Sequence, residues 1–194
     1  IAGTVELERY ARIMGFELLF RNAKDATSAV FSDEDSATVN VVASVVDGLL
    51  RNLPNDRRII INFSRTSILD NVPYALQPDR TIVEIASLEN PDPDYLEALK
   101  RLKEDKYLLA VNSLEALNGG NKILLKLADV LIVDVLDKEK SDLRKIVQVL
   151  DDYDALLMAK RVETHKDFET ALSLGFSLFQ GYFFSRPELV ATSA

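Results

Sequence analysis

Short apolar runs recur along this chain at Arg58–Phe63 (RIIINF), Thr81–Ala86 (TIVEIA), Tyr107–Val111 (YLLAV), Val130–Val135 (VLIVDV) and Ala155–Ala159 (ALLMA). Near-continuous apolar stretches of this length predict strands buried on both faces. Between them, apolar positions at helical spacing predict helices over Ala37–Leu53, Pro93–Glu104, Ile123–Leu127, Lys138–Leu150 and His165–Leu174, with Thr164 as the N-cap of the last. Met14–Phe20 (MGFELLF) and Leu178–Phe184 (LFQGYFF) frame the series as two further strands, bringing the count to about seven with room for a short eighth.

Strands alternating with amphipathic helices predict a parallel sheet covered by helices. No glycine-rich phosphate loop follows the first strand, which argues against an open dinucleotide-binding sheet and for closure into a (β/α)8-type, TIM-like barrel. The chain reads as one α/β barrel domain over residues 1–194, with loose stretches at Ser32–Ser36 and in the tail after Pro187. In such a barrel the site lies at the carboxyl ends of the strands. The polar residues late in the apolar runs are therefore the candidates: Glu17, Asn62, Glu84, Asn112, Ser113, Asp134, Lys160, Glu163 and Gln180. A core does not retain buried carboxylates without partners, and oxygen groups from several strands meeting in one mouth suit a hard cation or a phosphate.

Composition narrows the classes. The 31 acidic residues exceed the 23 basic ones for a formal charge of -8, which disfavours nucleic-acid backbones and anionic membranes. No apolar run approaches the roughly 20 residues of a membrane-spanning helix. The absence of cysteine excludes disulfides and thiolate metal sites and points to a cytoplasmic setting. The single histidine, His165, falls at a helix start and reads as solvated. The rings of Phe176, Phe179, Tyr182, Phe183 and Phe184 read chiefly as core packing.

The segments GFELLFR (Gly15–Arg21), INFS (Ile61–Ser64), VEI (Val83–Ile85), ADVLIVDVL (Ala128–Leu136), VET (Val162–Thr164) and FQGYFFSRP (Phe179–Pro187) resemble, in order, the EAL family of cyclic di-GMP phosphodiesterase domains. GFELLFR and LFQGYFFSRP are most similar to EAL domains that precede an HDOD domain. The resemblance implies a barrel that binds cyclic di-GMP at its mouth, where two divalent metals activate water for attack on a phosphodiester. It implies that Glu17 is the signature glutamate, here followed by Leu18 and Leu19, and that Arg21 contacts a phosphate. By the same resemblance Asn62, Glu84 and Asp134 match metal-site positions, Glu163 and Gln180 match the supporting acid and glutamine, and Leu19, Asn112, Lys160 and Pro187 complete the ligand-binding candidates.

The departures from the family pattern lie at four positions. Asn112 and Ser113 stand where the family has a paired Asp-Asp, Ile132 where it has a lysine, and Lys160 where it has a glutamate. Losing two aspartates adds two units of charge, glutamate to lysine adds two more and lysine to isoleucine removes one, so the site is less negative by three. Neutral amide and hydroxyl oxygens hold Mg²⁺ far more weakly than carboxylates, so the expectation is no catalytic residues, no resident metal, and Mg²⁺ or Mn²⁺ only if activity is retained. Glu17, Asn62, Glu84 and Asp134 are the residual metal candidates. The leading expectation is an inactive EAL domain serving as a regulatory or protein-interaction module. The alternatives are a metal-independent cyclic di-GMP receptor, using Arg21 and Lys160, and a residual phosphodiesterase. A protein partner, an adjoining HDOD-type domain or a homodimer are the expected associations.

Overall fold

A computed structural model describes residues 2–8, 10–18, 48, 51, 54–86 and 91–184. Eight strands close a barrel in chain order: β1 (Ala2–Glu8), β2 (Tyr10–Leu18), β3 (Arg58–Phe63), β4 (Thr81–Ile85), β5 (Leu108–Asn112), β6 (Val130–Asp134), β7 (Leu156–Lys160) and β8 (Leu178–Gln180). From β2 to β8 every neighbouring pair is parallel. The first strand departs from the expected all-parallel series. It runs antiparallel to both β2 and β8, with a bulge at Thr4/Val5. The physical reason is that a single residue separates β1 from β2 in the chain, too few for the crossover that a parallel neighbour needs.

The helices are α1 (Arg65–Leu69), α2 (Pro93–Glu104), α3 (Ser113–Asn118), α4 (Lys122–Leu127), α5 (Lys140–Leu150) and α6 (His165–Ser173). Their starts are specified locally. Asp92 accepts a hydrogen bond from the Tyr95 amide ahead of Pro93, and Thr164 and Asp167 form a reciprocal capping box at α6. The expected helix over Ala37–Leu53 lies largely outside the described residues, as do Ser32–Ser36 and the tail after Pro187. The expected strand over Leu178–Phe184 stops at Gln180, because Gly181 turns the chain against the Val162 backbone, where a Cβ would lie 2.1 Å from the carbonyl oxygen.

Two apolar layers follow from the strand alternation. Ile59, Ile61, Phe63, Val83, Ile85, Leu109, Val111, Leu131, Val133 and Phe179 pack outward under the helices. Ile60, Ile82, Ala110, Val130, Ile132, Met158 and Leu178 fill the barrel interior. The inward set fixes the mouth, because the next inward position on each strand lies two residues further toward its carboxyl end. Those residues are Asn62, Glu84, Asn112, Asp134, Lys160 and Gln180. Glu17 joins them through its register with Ile60. Among the described residues no helix is long and apolar enough to cross a membrane.

Candidate functional site at the barrel mouth

Glu17 is the hub of the mouth. Its side chain is 3 % exposed, and Lys160 Nζ donates to its Oε1 at 2.9 Å. Gln180 Nε2 donates to its Oε2 at 2.6 Å, and Asn62 Nδ2 makes a longer contact of 3.4 Å with Oε1. The same Lys160 ammonium reaches Glu84 Oε1 at 3.5 Å. Residues from β2, β3, β4, β7 and β8 thus converge on one cationic centre. The Lys160 side chain is 28 % exposed, so the ammonium sits between the barrel interior and solvent.

The electrostatics follow from burial and pairing. Burial pushes the Glu84 carboxyl up, and the Lys160 charge works against that rise. Burial pulls the Lys160 ammonium down, but Glu84 and Glu17 outweigh it and leave the group raised. Glu84 Oε2 and Gln180 Oε1 are buried and have no hydrogen-bond partner among the described residues.

The remaining candidates divide. Asp134 pairs with Arg161 and accepts the Leu136 amide at 3.1 Å. It therefore does not join the Lys160 cluster, although Asp134 and Lys160 are register partners across β6 and β7. Glu163 is exposed beside the α6 capping box, so the expected convergence of four carboxylates reduces to Glu17 and Glu84. Asn112 caps α3 by accepting the Glu115 amide and also contacts the Glu115 carboxylate at 3.2 Å. Ser113 is fully buried, and its hydroxyl donates to the Ile132 carbonyl at 2.7 Å. Ile132 itself belongs to the apolar interior one layer below Asp134. Leu19, Arg21 and Pro187 lie outside the described residues.

Arg161 was not among the candidates, since its only sequence signal is its place after Lys160. It adopts φ 61°, a left-handed backbone conformation that turns the chain just past β7. His165 is exposed at the α6 start, near Glu169 at 3.6 Å. The aromatic expectation holds for Phe176 and Phe179, both buried, whereas Tyr182 and Phe183 are exposed because the chain leaves the barrel wall after Gln180.

As paired in the mouth, the oxygen donors leave no room for a divalent cation. An ammonium already bridges the two buried carboxylates, the amide and hydroxyl at 112 and 113 are engaged in local bonds, and Asp134 is bound to a guanidinium. Among the described residues no three His, Cys, Asp or Glu side chains are grouped to hold a metal ion. What the arrangement supplies is a partly neutralised polar floor, in which Lys160 and Arg161 offset charge from Glu17, Glu84 and Asp134.

Comparison with known proteins places this geometry. The EAL domain family model matches residues 36–187. The chain is 28% identical over 187 residues to the uncharacterized protein YuxH of Bacillus subtilis (strain 168), covering 94% of this chain and 46% of YuxH. It is 31% identical over 185 residues to the cyclic di-GMP phosphodiesterase CdgJ of Vibrio cholerae serotype O1, covering 91% of this chain and 41% of CdgJ. The chain thus spans less than half the length of these curated relatives. Among solved structures, Bacillus subtilis YkuI, with an EAL domain and in complex with cyclic di-GMP and calcium, superposes with a TM-score of 0.71 at 15% identity over 99% of this chain and 56% of YkuI. Klebsiella pneumoniae BlrP1, in its manganese and cyclic di-GMP complex, gives 0.71 at 22% identity over 96% of this chain and 55% of BlrP1.

Proposed function

The chain belongs to the EAL domain family of cyclic di-GMP signalling, and from that membership we propose that it has lost hydrolysis and acts as a regulatory or protein-interaction module. The observation that carries this reading is the state of residues 112 and 113. By the resemblance noted above, these positions hold two aspartates in hydrolytic members. Here Asn112 is spent on capping α3 and Ser113 on the buried bond to the Ile132 carbonyl. Neither brings negative charge, so two cations a few ångströms apart would meet no counter-charge between them. Without that pair nothing in the described mouth activates a water molecule for attack on a phosphodiester.

A second reading is supported by Lys160 and Arg161. Both are partly exposed at the mouth and offer cationic groups to a phosphate without metal, so the domain would bind cyclic di-GMP without cutting it. Incubation of the protein with cyclic di-GMP and Mg²⁺ or Mn²⁺ tests loss of hydrolysis. The expected outcome is no linear product, and turnover at about 1 s⁻¹ or faster that Glu17→Ala abolishes refutes it. Calorimetric titration with cyclic di-GMP, with and without Mg²⁺, then separates the readings. Saturable heat without metal identifies a receptor, and no heat leaves the interaction module.

A further inference from the structure

Beyond the loss of hydrolysis, the mouth carries a statement about metals. We propose that the Lys160 ammonium stands in place of a divalent cation, so that the chain excludes metal by a charge built into β7, and that Lys160→Glu alone converts the mouth into a divalent-cation site. It rests on the reading above only in locating the same mouth.

Three observations carry it. First, the ammonium is a shared counter-ion: one nitrogen lies 2.9 Å from Glu17 and 3.5 Å from Glu84, carboxylates that arrive from separate strands. Two buried acids on β2 and β4, one strand apart, have no reason to coexist without a cation between them, because each raises the cost of ionising the other. Second, the oxygens are held in place around that centre. Gln180 binds Glu17 Oε2 at 2.6 Å, Asn62 contacts Oε1, and Ile132 and Met158 close the floor with apolar atoms. Third, the site already has two of the carboxylates a hard cation selects, and lacks only room and charge. Lysine occupies both. Replacing it with glutamate vacates the centre and supplies a third carboxylate from β7, giving three carboxylates from Glu17, Glu84 and residue 160.

A merely structural ion pair makes a different forecast, since a glutamate at 160 would then add repulsion and create no affinity. The test is Mn²⁺ titration at neutral pH, read from the paramagnetic resonance of the free ion. It is run on the wild type, Lys160→Met, Lys160→Glu and the double variant Lys160→Glu/Glu17→Gln. The wild type is expected to show no saturable binding up to about 1 mM, the weak limit of oxygen-ligand sites. Lys160→Glu is expected to bind at least about tenfold more tightly, with Lys160→Met between the two, and Glu17→Gln is expected to remove the gain. Saturable binding by the wild type that Glu17→Gln abolishes overturns the proposal, as does a folded Lys160→Glu that binds no better than the wild type. If Lys160→Glu does not fold with or without Mn²⁺, Lys160→Met decides, and affinity no better than wild type overturns the idea. The two readings fail separately: wild-type Mn²⁺ binding without cleavage of cyclic di-GMP removes only this inference, whereas cleavage removes the proposed function.

Discussion

Lys160→Met deletes the charge at the centre of the mouth while keeping most of the aliphatic stem. Glu17 and Glu84 then remain, buried and without their cation. Breaking a fully buried ion pair from one side costs about 3–5 kcal/mol. Two features lower that figure here. The Lys160 side chain is 28 % exposed, so water already screens part of the attraction, and Glu84 escapes part of the penalty by taking up a proton. The expected loss is about 1–3 kcal/mol near neutral pH, a fall in melting temperature of roughly 2–12 °C for a domain of this size. The pH dependence fixes the cause. Glu84 is raised in the folded state even with Lys160 beside it, and losing that charge raises it further. A carboxyl with a raised folded value stabilises the protein below its unfolded value, about 4.3, and costs stability as the pH climbs through the folded one. The variant's deficit is therefore expected to be largest at neutral pH and to shrink on acidification toward pH 5. Lys160 is raised in turn, so its own contribution in the wild type is complete below about pH 10.4 and disappears as the pH rises through its folded value. Thermal melts monitored by circular dichroism between about pH 5 and 9 measure the first trend, and extending them to about pH 12 measures the second. An unchanged melting temperature at neutral pH, or a deficit independent of pH, refutes the reasoning.

Ser113→Asp, which restores the charge that hydrolytic relatives are inferred to carry, is expected to destabilise the protein by about 2–4 kcal/mol in denaturant titration. It would bury a carboxylate against the Ile132 carbonyl that the hydroxyl now serves. Thr164→Ala removes one half of the α6 capping box and is expected to cost about 1 kcal/mol in the same measurement, without altering metal or nucleotide titrations. The Tyr74 hydroxyl is pushed up to about 12 by burial and by its hydrogen bond to Asp105. Because the folded value lies above the unfolded one, its stabilising contribution is complete below about pH 10 and vanishes as the pH rises through about 12. Tyrosinate absorbance of the wild type should accordingly show a late phase near 12 that Tyr74→Phe lacks.

The parallel wall was legible because each of its buried strands is a run of apolar residues bounded by a helix start. Arg58–Phe63 and Pro93–Glu104 coincide with their expected limits. The first strand was missed although Thr4, Val5, Glu6, Leu7 and Glu8 alternate polar and apolar, because continuous apolar runs do not capture the short alternating pattern of a half-buried strand. Helix α3 was missed because SLEALN is shorter than two turns and its start depends on the Asn112 cap and not on periodicity. Within the mouth, the polar residues Asn62, Glu84, Asn112, Asp134, Lys160 and Gln180, picked out as interruptions late in apolar runs, fall two residues beyond the apolar interior layer. Which inward acids share a cation is a matter of reach across the barrel. The long Lys160 stem spans to Glu17 and Glu84, while Arg161, reversed by its left-handed backbone, draws Asp134 aside, and no local pattern encodes that competition.

The antiparallel seam has a consequence for how the molecule is made. Thr4 pairs with Gln180, Val5 with Phe179 and Glu6 with Leu178, so the barrel's last ladder joins residues more than 170 positions apart. At about 5–20 residues per second, a ribosome that has produced the first strand works on for roughly 10–40 s before its partner exists. During that interval β1 has only β2 to pair with, and the β2–β7 wall has an open edge. Gln180 both completes that ladder and grips the Glu17 carboxylate. The charged centre at the mouth is therefore assembled in the same event that shuts the barrel, and a chain released before residue 180 has neither.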